Sequence, residues 1–396
     1  MEYIIHLTEK CNLNCTYCYE NKKNKEISFE SIKDLIDYEI SRKQAYSIIV
    51  FYGGEPLLKK NMIKDTIEYI NTKKSKTNFY YGITTNGTLL DEEFIKYMKN
   101  NKFIYVAYSI DGMEETQNLN RKTADGKGTF DIVEKNAKKL LELYDGAISM
   151  SVITRNNLSQ LYKNVEYLID IGFKSINLLF DYTQDWQDED LDEIRKQFNK
   201  IAEIYADKIL KEDDIEIPLI DDKIKTYIQS GYDCNKDCKI GMKNINVGID
   251  GNFYPCMQFV NNKDFIIGNC KDGIDIKARV NLIKNSNKEN EICQNCSIRK
   301  RCKHTCACRN YVTTNNVNEL SPIICETEKI LIEISDKMAE KLYRKNSKMF
   351  IQKYYNDKYD ILRQISNKYE KRGEFYGDKK CSKWSTKWLS KNGTSK

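Results

Sequence analysis

The sequence predicts an α/β protein with a parallel sheet, followed by a cysteine-rich region. Residues 3–180 alternate short apolar runs with segments whose apolar residues recur at helical spacing, about six times over. Short polar motifs directly follow several of these apolar runs. Ten of the 14 cysteines then lie between Cys234 and Cys325. Strands that alternate with helices over this length are typical of βα units and therefore of a parallel sheet.

The order of the predicted elements follows from the apolar pattern. Ser28 is a candidate N-cap, and the residues after it have helical periodicity. Strands are predicted over residues 3–7, 48–52, 79–84, 103–110, 148–154 and 175–180. Helices are predicted over residues 63–70, from residue 94, over residues 130–143 and over residues 326–343.

Composition and charge narrow the class of protein. The 396 residues contain neither a basic, apolar export signal at the start nor an apolar run of the roughly 18 residues that a membrane span needs. Cysteine-rich chains without an export signal belong in a reducing compartment, so we expect a cytoplasmic protein without a membrane partner. Residues 341–396 carry 16 Lys or Arg against 5 Asp or Glu, whereas the whole chain is only +6. This uneven charge argues against a nucleic-acid binder.

Cys11, Cys15 and Cys18 are separated by three and then two residues. Three thiolates so close together suit a metal centre better than a disulfide, because one sulfur is left over. Three ligands leave one iron of a 4Fe–4S cluster, or one position on zinc, open for a substrate. A zinc knuckle is the alternative at this point.

Several polar motifs lie where predicted strands end, the position at which a β/α barrel builds its active site. Gly53-Gly54-Glu55-Pro56 follows the second strand, and Ser109-Ile110-Asp111-Gly112 ends the fourth. Ser151 lies in the fifth strand, and Arg121 lies in a predicted polar loop.

The cysteine loop, with Tyr17 before its last cysteine, resembles the cluster-binding loop of radical S-adenosylmethionine (radical SAM) enzymes. The six βα units resemble the partial (β/α)6 TIM-type barrel of that family. Ser-Ile-Asp-Gly, Asn-Arg and Gly-Lys-Gly-Thr-Phe are similar to its peptide-modifying branch. The resemblance implies a 4Fe–4S cluster on the three cysteines and S-adenosyl-L-methionine as cofactor. It also implies cofactor contacts. Tyr17 is one of them, and Gly53, Gly54 and Glu55 are expected at the methionine amino group. Ser109, Arg121 and Ser151 are expected at the ribose or the methionine carboxylate.

The later cysteines match the seven-cysteine signature of the SPASM domain. Twelve residues separate Cys238 from Gly251, and four separate Gly251 from Cys256. From Cys293 to Cys306 the gaps are two, five and three residues, and Cys325 follows after eighteen. The resemblance implies two auxiliary 4Fe–4S clusters. A distal one would be held by Cys293, Cys296, Cys302 and Cys325, and a nearer one by Cys238, Cys256 and Cys306.

Three questions about these cysteines stay open. Cys234 is the candidate fourth ligand of the nearer auxiliary cluster, which some relatives leave open to a substrate thiol. Cys270, Cys308 and Cys381 are left over and are interpreted as small buried residues or idle thiols. A zinc ribbon, with His304 in the run, is the alternative to clusters, but zinc leaves the strand-end motifs unexplained.

The predicted domains are a radical SAM partial barrel over residues 1–215, a SPASM domain over residues 216–343 and a basic, aromatic tail over residues 344–396. The tail is either a partly helical appendage or a docking surface for an acidic or amphipathic peptide. The first cysteine is only ten residues from the start. We therefore expect the leader-recognition domain of many peptide-modifying relatives to be absent or supplied by a separate protein.

The resemblance implies an oxidoreductase that cleaves S-adenosylmethionine to a 5′-deoxyadenosyl radical and modifies a peptide with a leader. The expected product is a thioether or carbon–carbon crosslink in a ribosomally synthesised, Cys-rich peptide, with flavodoxin or ferredoxin as electron donor. The first alternative is a sulfatase-maturating enzyme that makes formylglycine. That branch has an aspartate directly after the cysteine matching Cys256, whereas this sequence has Met257. An iron–sulfur electron-transfer or scaffold protein is the second alternative, and it leaves the strand-end motifs unused.

Overall fold

The computed structural model describes residues 1–20, 22–229, 231, 240–286, 288, 290–303 and 306–355. Its first half is a sheet of six parallel strands with helices in the connections. The strands are β1 (Glu2–Thr8), β2 (Tyr46–Gly53), β3 (Asn78–Thr85), β4 (Phe103–Ser109), β5 (Ala147–Ile153) and β6 (Ser175–Phe180). The helices of this half are α1 (Phe29–Ser41), α2 (Lys60–Thr72), α3 (Glu92–Asn100), α4 (Glu114–Asn120), α5 (Phe130–Leu143), α6 (Leu161–Asp170) and α7 (Asp188–Leu210).

The second half consists of short strands and further helices. They are α8 (Pro218–Ile228), β7 (Asn244–Val247), β8 (Phe253–Tyr254), β9 (Gly268–Asn269), β10 (Gly273–Ile274), α9 (Ile276–Ser286), α10 (Glu291–Gln294), α11 (Ala307–Thr314), α12 (Pro322–Arg344) and α13 (Lys348–Tyr355). The main sheet has the order β6-β5-β4-β3-β2-β1-β7-β8. Its first six strands are parallel and in sequence order, which confirms the predicted partial (β/α)6 barrel.

The core lies between the sheet and its helices. On β1, Tyr3, Ile5 and Leu7 are fully buried and pack into the main hydrophobic cluster. The Tyr3 hydroxyl donates a 2.8 Å hydrogen bond to Glu39 of α1, so this face of the strand meets the helices. Because side chains alternate along a strand, His6 lies on the opposite, concave face of the sheet.

Strand and helix boundaries agree with the apolar pattern. Both ends of every predicted strand lie within two residues of the observed ends, and the bounds of α5 match the prediction. Ser28 caps α1 as predicted, since its side chain accepts a hydrogen bond from the Ser31 N–H. The long helix near the end begins at Pro322, four residues before the prediction, because proline favours the first turn of a helix.

The two halves share one sheet and one helical layer. Strand β7 pairs in parallel with β1, so a segment from the predicted second domain extends the barrel sheet. Helix α12 packs against α7 and α8. Lys223 of α8 and Glu328 of α12 form an ion pair at 2.5 Å, and both side chains are almost fully buried.

Some predictions fall outside the described residues: those for Cys234, Cys238, His304, Cys381 and the tail beyond Tyr355. Within the described ranges, no helix is long and apolar enough to cross a membrane.

Candidate active site at the carboxyl ends of the strands

The loop that carries Cys11, Cys15 and Cys18 follows β1 and is held from two sides. On one side, the Gly54 N–H donates to the Thr8 carbonyl at 2.8 Å and the Glu55 N–H to the Lys10 carbonyl at 3.0 Å. On the other side, the N–H groups of Asn14 and Thr16 donate to the carbonyls of Lys122 and Asn120, at 2.6 and 2.9 Å. The loop is therefore fixed between the end of β2 and the end of α4.

The two glycines after β2 allow this loop to lie directly against the strand end. Gly53 has a φ of +119°, which favours glycine. A Cβ atom on Gly54 would lie 2.4 Å from the Lys10 carbonyl oxygen. The two glycines thus allow the backbone of the cysteine loop to approach the strand end closely. Their contact with a methionine amino group stays a prediction.

Glu55 is fully buried and ties β2 to the end of β3. Its carboxylate accepts hydrogen bonds from the Leu57 N–H, the Thr85 hydroxyl and the Asn86 N–H, at 2.9, 2.8 and 2.7 Å. Burial raises the pKa of Glu55 to about 7, although these donors lower it. A buried acceptor therefore lies at the strand end where the sequence motif predicted one.

The three cysteines of the loop have different exposures. Cys18 is exposed, whereas Cys11 and Cys15 are half-buried. The Cys11 sulfur accepts hydrogen bonds from the Leu13 N–H at 3.4 Å and the Asn86 side-chain amide at 3.8 Å. Burial raises the pKa of Cys11 to about 11, and the charges of Glu55, Cys15 and Cys18 raise it further.

The hydrogen bonds to the Cys11 sulfur suit a ligand of an iron–sulfur cluster. In the part of the chain that the structure describes, no three His, Cys, Asp or Glu side chains surround a point that would hold one metal ion. A 4Fe–4S cluster needs cysteines around a larger body, and N–H donors to its sulfur ligands are a usual feature. The donors to Cys11 meet that requirement.

Asp111 joins three of the predicted cofactor contacts. It is buried at the end of β4, and its carboxylate accepts hydrogen bonds from the Tyr17 hydroxyl at 2.7 Å and from Arg121 at 3.0 Å. The Ser151 hydroxyl donates to the Asp111 main-chain carbonyl at 3.1 Å. Ser109 lies nearby, opposite Met150 in the pairing of β4 with β5. Asp111 is a further site residue that the sequence motifs do not single out, although its place at a strand end is a signal.

Arg121 directly follows α4, in the predicted loop, and its side chain is buried. Its guanidinium lies 5.4 Å from the centre of the Tyr17 ring. The charge of Asp111 raises the pKa of Arg121 against the opposing effect of burial. Its Nε atom is buried and makes no hydrogen bond to any described residue. A buried guanidinium with a donor to spare is suited to bind a carboxylate.

A tyrosine pair links the cysteine loop to the second cysteine region. The hydroxyls of Tyr19 and Tyr52 lie 2.5 Å apart, and the Tyr19 hydroxyl donates to the Met257 sulfur at 3.2 Å. Tyr19 directly follows Cys18, and Met257 directly follows Cys256. The two cysteine regions therefore meet at the carboxyl ends of the strands.

The described cysteines of the second region fall into two groups. Cys293, Cys296 and Cys325 lie close together. Burial raises the pKa of Cys293, and the nearby charges of Cys325 and Cys296 raise it as well. Cys256 and Cys308 instead pack against a separate hydrophobic cluster. The Cys306 and Cys308 sulfurs are 3.3 Å apart. Cys302 is buried near Lys223, whose pKa is lowered by burial although the neighbouring charges of Glu328 and Cys302 oppose that shift.

Comparisons with known proteins identify the family. The model of the radical SAM superfamily matches residues 5–168. An uncharacterized protein of Methanocaldococcus jannaschii is 36% identical over 219 residues, which are 52% of this chain and 74% of the relative. The chain belongs to the radical SAM superfamily. S-adenosyl-L-methionine and 4Fe–4S clusters are therefore its cofactors, as the resemblance implied.

Further relatives of this radical SAM enzyme have assigned names. A cysteine-type anaerobic sulfatase-maturating enzyme of Clostridium perfringens is 27% identical over 327 residues, 75% of this chain and 85% of the relative. The structure of native anSMEcpe with bound AdoMet and Kp18Cys peptide has a TM-score of 0.74 at 23% identity, covering 87% of this chain and 99% of that one.

A second solved structure has a similar fold at greater distance. SuiB of Streptococcus suis bound to its precursor peptide SuiA has a TM-score of 0.59 at 17% identity, covering 82% of this chain and 75% of that one. At these identities the two structures support the fold alone, namely the partial barrel followed by a SPASM-type region.

Proposed function

We propose that this radical SAM enzyme modifies a peptide and installs a thioether or carbon–carbon crosslink in a ribosomally synthesised, Cys-rich substrate. The observation that carries the proposal is Met257. The sulfatase-maturating branch places an aspartate after the cysteine that matches Cys256, and here the thioether sulfur of Met257 accepts a hydrogen bond from Tyr19 instead. This chain therefore has an apolar side chain where that branch has a carboxylate.

Formylglycine formation is the second candidate function. It is supported by the similarity to the Clostridium perfringens enzyme, which extends over 85% of that relative. The solved structure of anSMEcpe holds a Cys-containing peptide, and that of SuiB holds a precursor peptide, by their descriptions. Both candidate functions act on a peptide substrate. They differ in the chemical change that the peptide undergoes.

The proposed roles of the residues follow their positions. The cofactors supply a 5′-deoxyadenosyl radical that abstracts a hydrogen atom from the substrate. Cys11, Cys15 and Cys18 would hold the radical SAM cluster. Arg121, fixed by Asp111, would bind the carboxylate of the methionine moiety, because its Nε has no hydrogen bond within the described residues.

The second region supplies the auxiliary clusters and covers the mouth of the barrel. In the proposed division, residues 1–215 form the barrel domain and residues 216–343 the SPASM domain. The Tyr19–Met257 contact holds the turn after Cys256 against the cysteine loop. The proposal also includes a cytoplasmic location, flavodoxin or ferredoxin as electron donor, and a separate leader-recognition protein.

The test compares two peptides. The enzyme is purified and reconstituted without oxygen, reduced, and incubated with S-adenosylmethionine and either a sulfatase-type Cys peptide or the Cys-rich peptide encoded nearest its gene. With the second peptide we expect two results: formation of 5′-deoxyadenosine, and a peptide product lighter by two hydrogen atoms for each crosslink. Cys15→Ala is the control and should form no nucleoside. Replacement of a thiol by an aldehyde in the sulfatase-type peptide, without crosslinking of the other, would overturn the proposal in favour of the second candidate.

A further inference from the structure

The turn after β3 lies against the cysteine loop. Asn86 directly follows β3, and its side chain is buried. Its main-chain N–H donates a hydrogen bond to the buried Glu55 carboxylate at 2.7 Å. Gly87, the next residue, has a φ of +78°, and a Cβ atom there would lie 2.2 Å from the Tyr108 ring. The backbone of Asn86 is therefore fixed on both sides, which determines where its side chain lies.

Three side chains form a closed ring of hydrogen bonds at this turn. The Asn86 side-chain amide donates to the Asn12 Oδ1 atom at 2.9 Å, and the Asn12 amide donates to the Thr88 hydroxyl at 2.8 Å. The Thr88 hydroxyl and main-chain N–H in turn donate to the Asn86 Oδ1 atom, at 2.7 and 3.0 Å. Because a main-chain N–H can only donate, the end of the Asn86 amide that faces Thr88 is the oxygen. The nitrogen end therefore faces Asn12 and the cysteine loop.

The same amide nitrogen lies beside the sulfur of an expected cluster ligand. The nitrogen carries two N–H groups, of which one donates to Asn12. The other donates to the Cys11 sulfur, which is 3.8 Å from the nitrogen. The Leu13 main-chain N–H donates to the same sulfur at 3.4 Å. Cys11 thus accepts one hydrogen bond from its own loop and one from a side chain that the ring holds in place.

Hydrogen bonds to the sulfur atoms of an iron–sulfur cluster are one of the features that set its reduction potential. A donor stabilises the reduced cluster more than the oxidised one, because the added electron increases the negative charge on the sulfur atoms and charge strengthens the hydrogen bond. We propose that Asn86 raises the reduction potential of the radical SAM cluster through its hydrogen bond to Cys11, and that Asn12 and Thr88 hold its amide in the required orientation. Asn86 is then a positioning residue that acts through a cluster ligand. The inference does not depend on the peptide or on the bond that the enzyme makes.

The test measures the reduction potential of this cluster in the full chain. The protein is purified and reconstituted without oxygen, and the EPR signals of the reduced clusters are followed in a redox titration. The signal of the radical SAM cluster is the one that changes when S-adenosylmethionine is added and that is missing in Cys11→Ala. Iron and sulfide are quantified in every preparation.

Asn86→Ala removes the donor and should lower the midpoint potential. At a fixed potential we expect the ratio of reduced to oxidised cluster to fall about tenfold, a shift of about 59 mV for a one-electron couple. A purely structural role would move the potential in the other direction, because water that reaches a loosened cluster stabilises its more negative, reduced form. Asn86→Asp keeps the acceptor for Thr88 but has no N–H and adds a negative charge, so it should lower the potential as well. Thr88→Val keeps the amide but opens the ring, and should lower the potential by less.

Asn136→Ala is the matched control. The Asn136 amide donates to the Gly87 carbonyl at 2.9 Å, so it supports the same turn, and within the described residues it makes no hydrogen bond to a cysteine. This variant should keep the potential of the unmodified enzyme. An unchanged or raised potential in Asn86→Ala with full iron loading would overturn the proposal, and so would an equal shift in Asn136→Ala. If Asn86→Ala does not load iron, the same criterion applies to Asn86→Asp and Thr88→Val.

The outcome is separate from that of the proposed function, because peptide products do not enter the measurement. Zinc in place of iron in the unmodified enzyme would contradict the cofactors themselves. Full iron loading with an unchanged potential in the Asn86 variants would remove only the role of Asn86.

Discussion

Tyr17 donates a 2.7 Å hydrogen bond to the carboxylate of Asp111, the same carboxylate that pairs with Arg121 at 3.0 Å. Tyr17 lies in the cysteine loop, Asp111 follows β4 and Arg121 directly follows α4. One buried carboxylate therefore fixes the loop of the expected cluster relative to the arginine of the expected cofactor site.

The Asp111–Arg121 pair should contribute strongly to stability. Both side chains are almost completely buried, so Asp111→Ala leaves an uncompensated guanidinium in the interior. Such changes destabilise proteins by about 3–5 kcal/mol. We expect a loss of this size in the chemical unfolding of the metal-free protein.

Asp125→Ala is the matched control. Asp125 pairs with Lys127 at the surface, where both side chains are mostly exposed. Exposed pairs contribute about 0–1 kcal/mol, so this variant should unfold like the unmodified protein. Equal stability of the two variants would contradict the structural role of Asp111.

Glu55 should make stability depend on pH. Burial raises its pKa in the folded chain to about 7, from the ordinary value of 4.5. The folded state therefore favours the protonated form, and this contribution to stability is complete below about pH 4.5 and is lost as the pH rises through 7. Between pH 5 and pH 8 we expect the metal-free protein to lose about 2–3 kcal/mol relative to Glu55→Gln.

The measurement is the difference between the two proteins at each pH. Glu55→Gln also changes the hydrogen bonds with Leu57, Thr85 and Asn86, but that effect does not depend on pH. A constant difference from pH 5 to pH 8 would mean that the three donors keep Glu55 ionised throughout.

The strands could be predicted from the sequence, because apolar runs between helical segments are a local pattern. Helix α4 could not. Its sequence, Glu-Glu-Thr-Gln-Asn-Leu-Asn, has no apolar periodicity. The Gln117 side chain donates a hydrogen bond to the Thr129 hydroxyl and accepts one from the Asp111 N–H, and both contacts depend on the folded chain. Arg121 directly follows this helix, so its burial also depends on contacts that only the folded chain makes.

The site was predicted as a set of residues but not as an arrangement. Spacing identified the cysteines and the Gly-Gly-Glu motif, since family signatures are written in spacing. The part played by Asp111 depends on contacts with Tyr17, 94 positions away, and with Val152, 41 positions away. The meeting of Tyr19 with Met257 spans 238 positions. Contacts at such separations leave no pattern in a single sequence.

The buried pair between Lys223 and Glu328 should fix α8 against α12. Glu328 also accepts a hydrogen bond from the Lys303 N–H and lies 3.6 Å from Arg309. Glu328→Leu leaves the Lys223 ammonium buried without its carboxylate and should cost about 3–5 kcal/mol in the free energy of unfolding. The double variant Lys223→Met/Glu328→Leu removes both charges and should recover much of that loss.

The exposed pair of Arg344 and Glu340, also on α12, is the control for this comparison. Glu340→Leu should change the free energy of unfolding by less than about 1 kcal/mol. A double Lys223/Glu328 variant that is less stable than Glu328→Leu alone would contradict the prediction.

Met257 offers a direct test of what decides the product. Met257→Asp places a carboxylate next to Cys256, at the residue whose sulfur accepts the Tyr19 hydrogen bond. If the missing carboxylate is what excludes formylglycine formation, this variant should produce formylglycine from a sulfatase-type Cys peptide at least about tenfold faster than the unmodified enzyme, a change of about 1.4 kcal/mol in the barrier. Met257→Asn, of similar size but without the charge, should not.

Aldehyde formation is followed by mass spectrometry, and 5′-deoxyadenosine is measured in the same samples. Equal aldehyde formation by the unmodified enzyme and both variants would show that the residue after Cys256 does not select the reaction. The choice of product would then depend on the peptide that the mouth of the barrel admits.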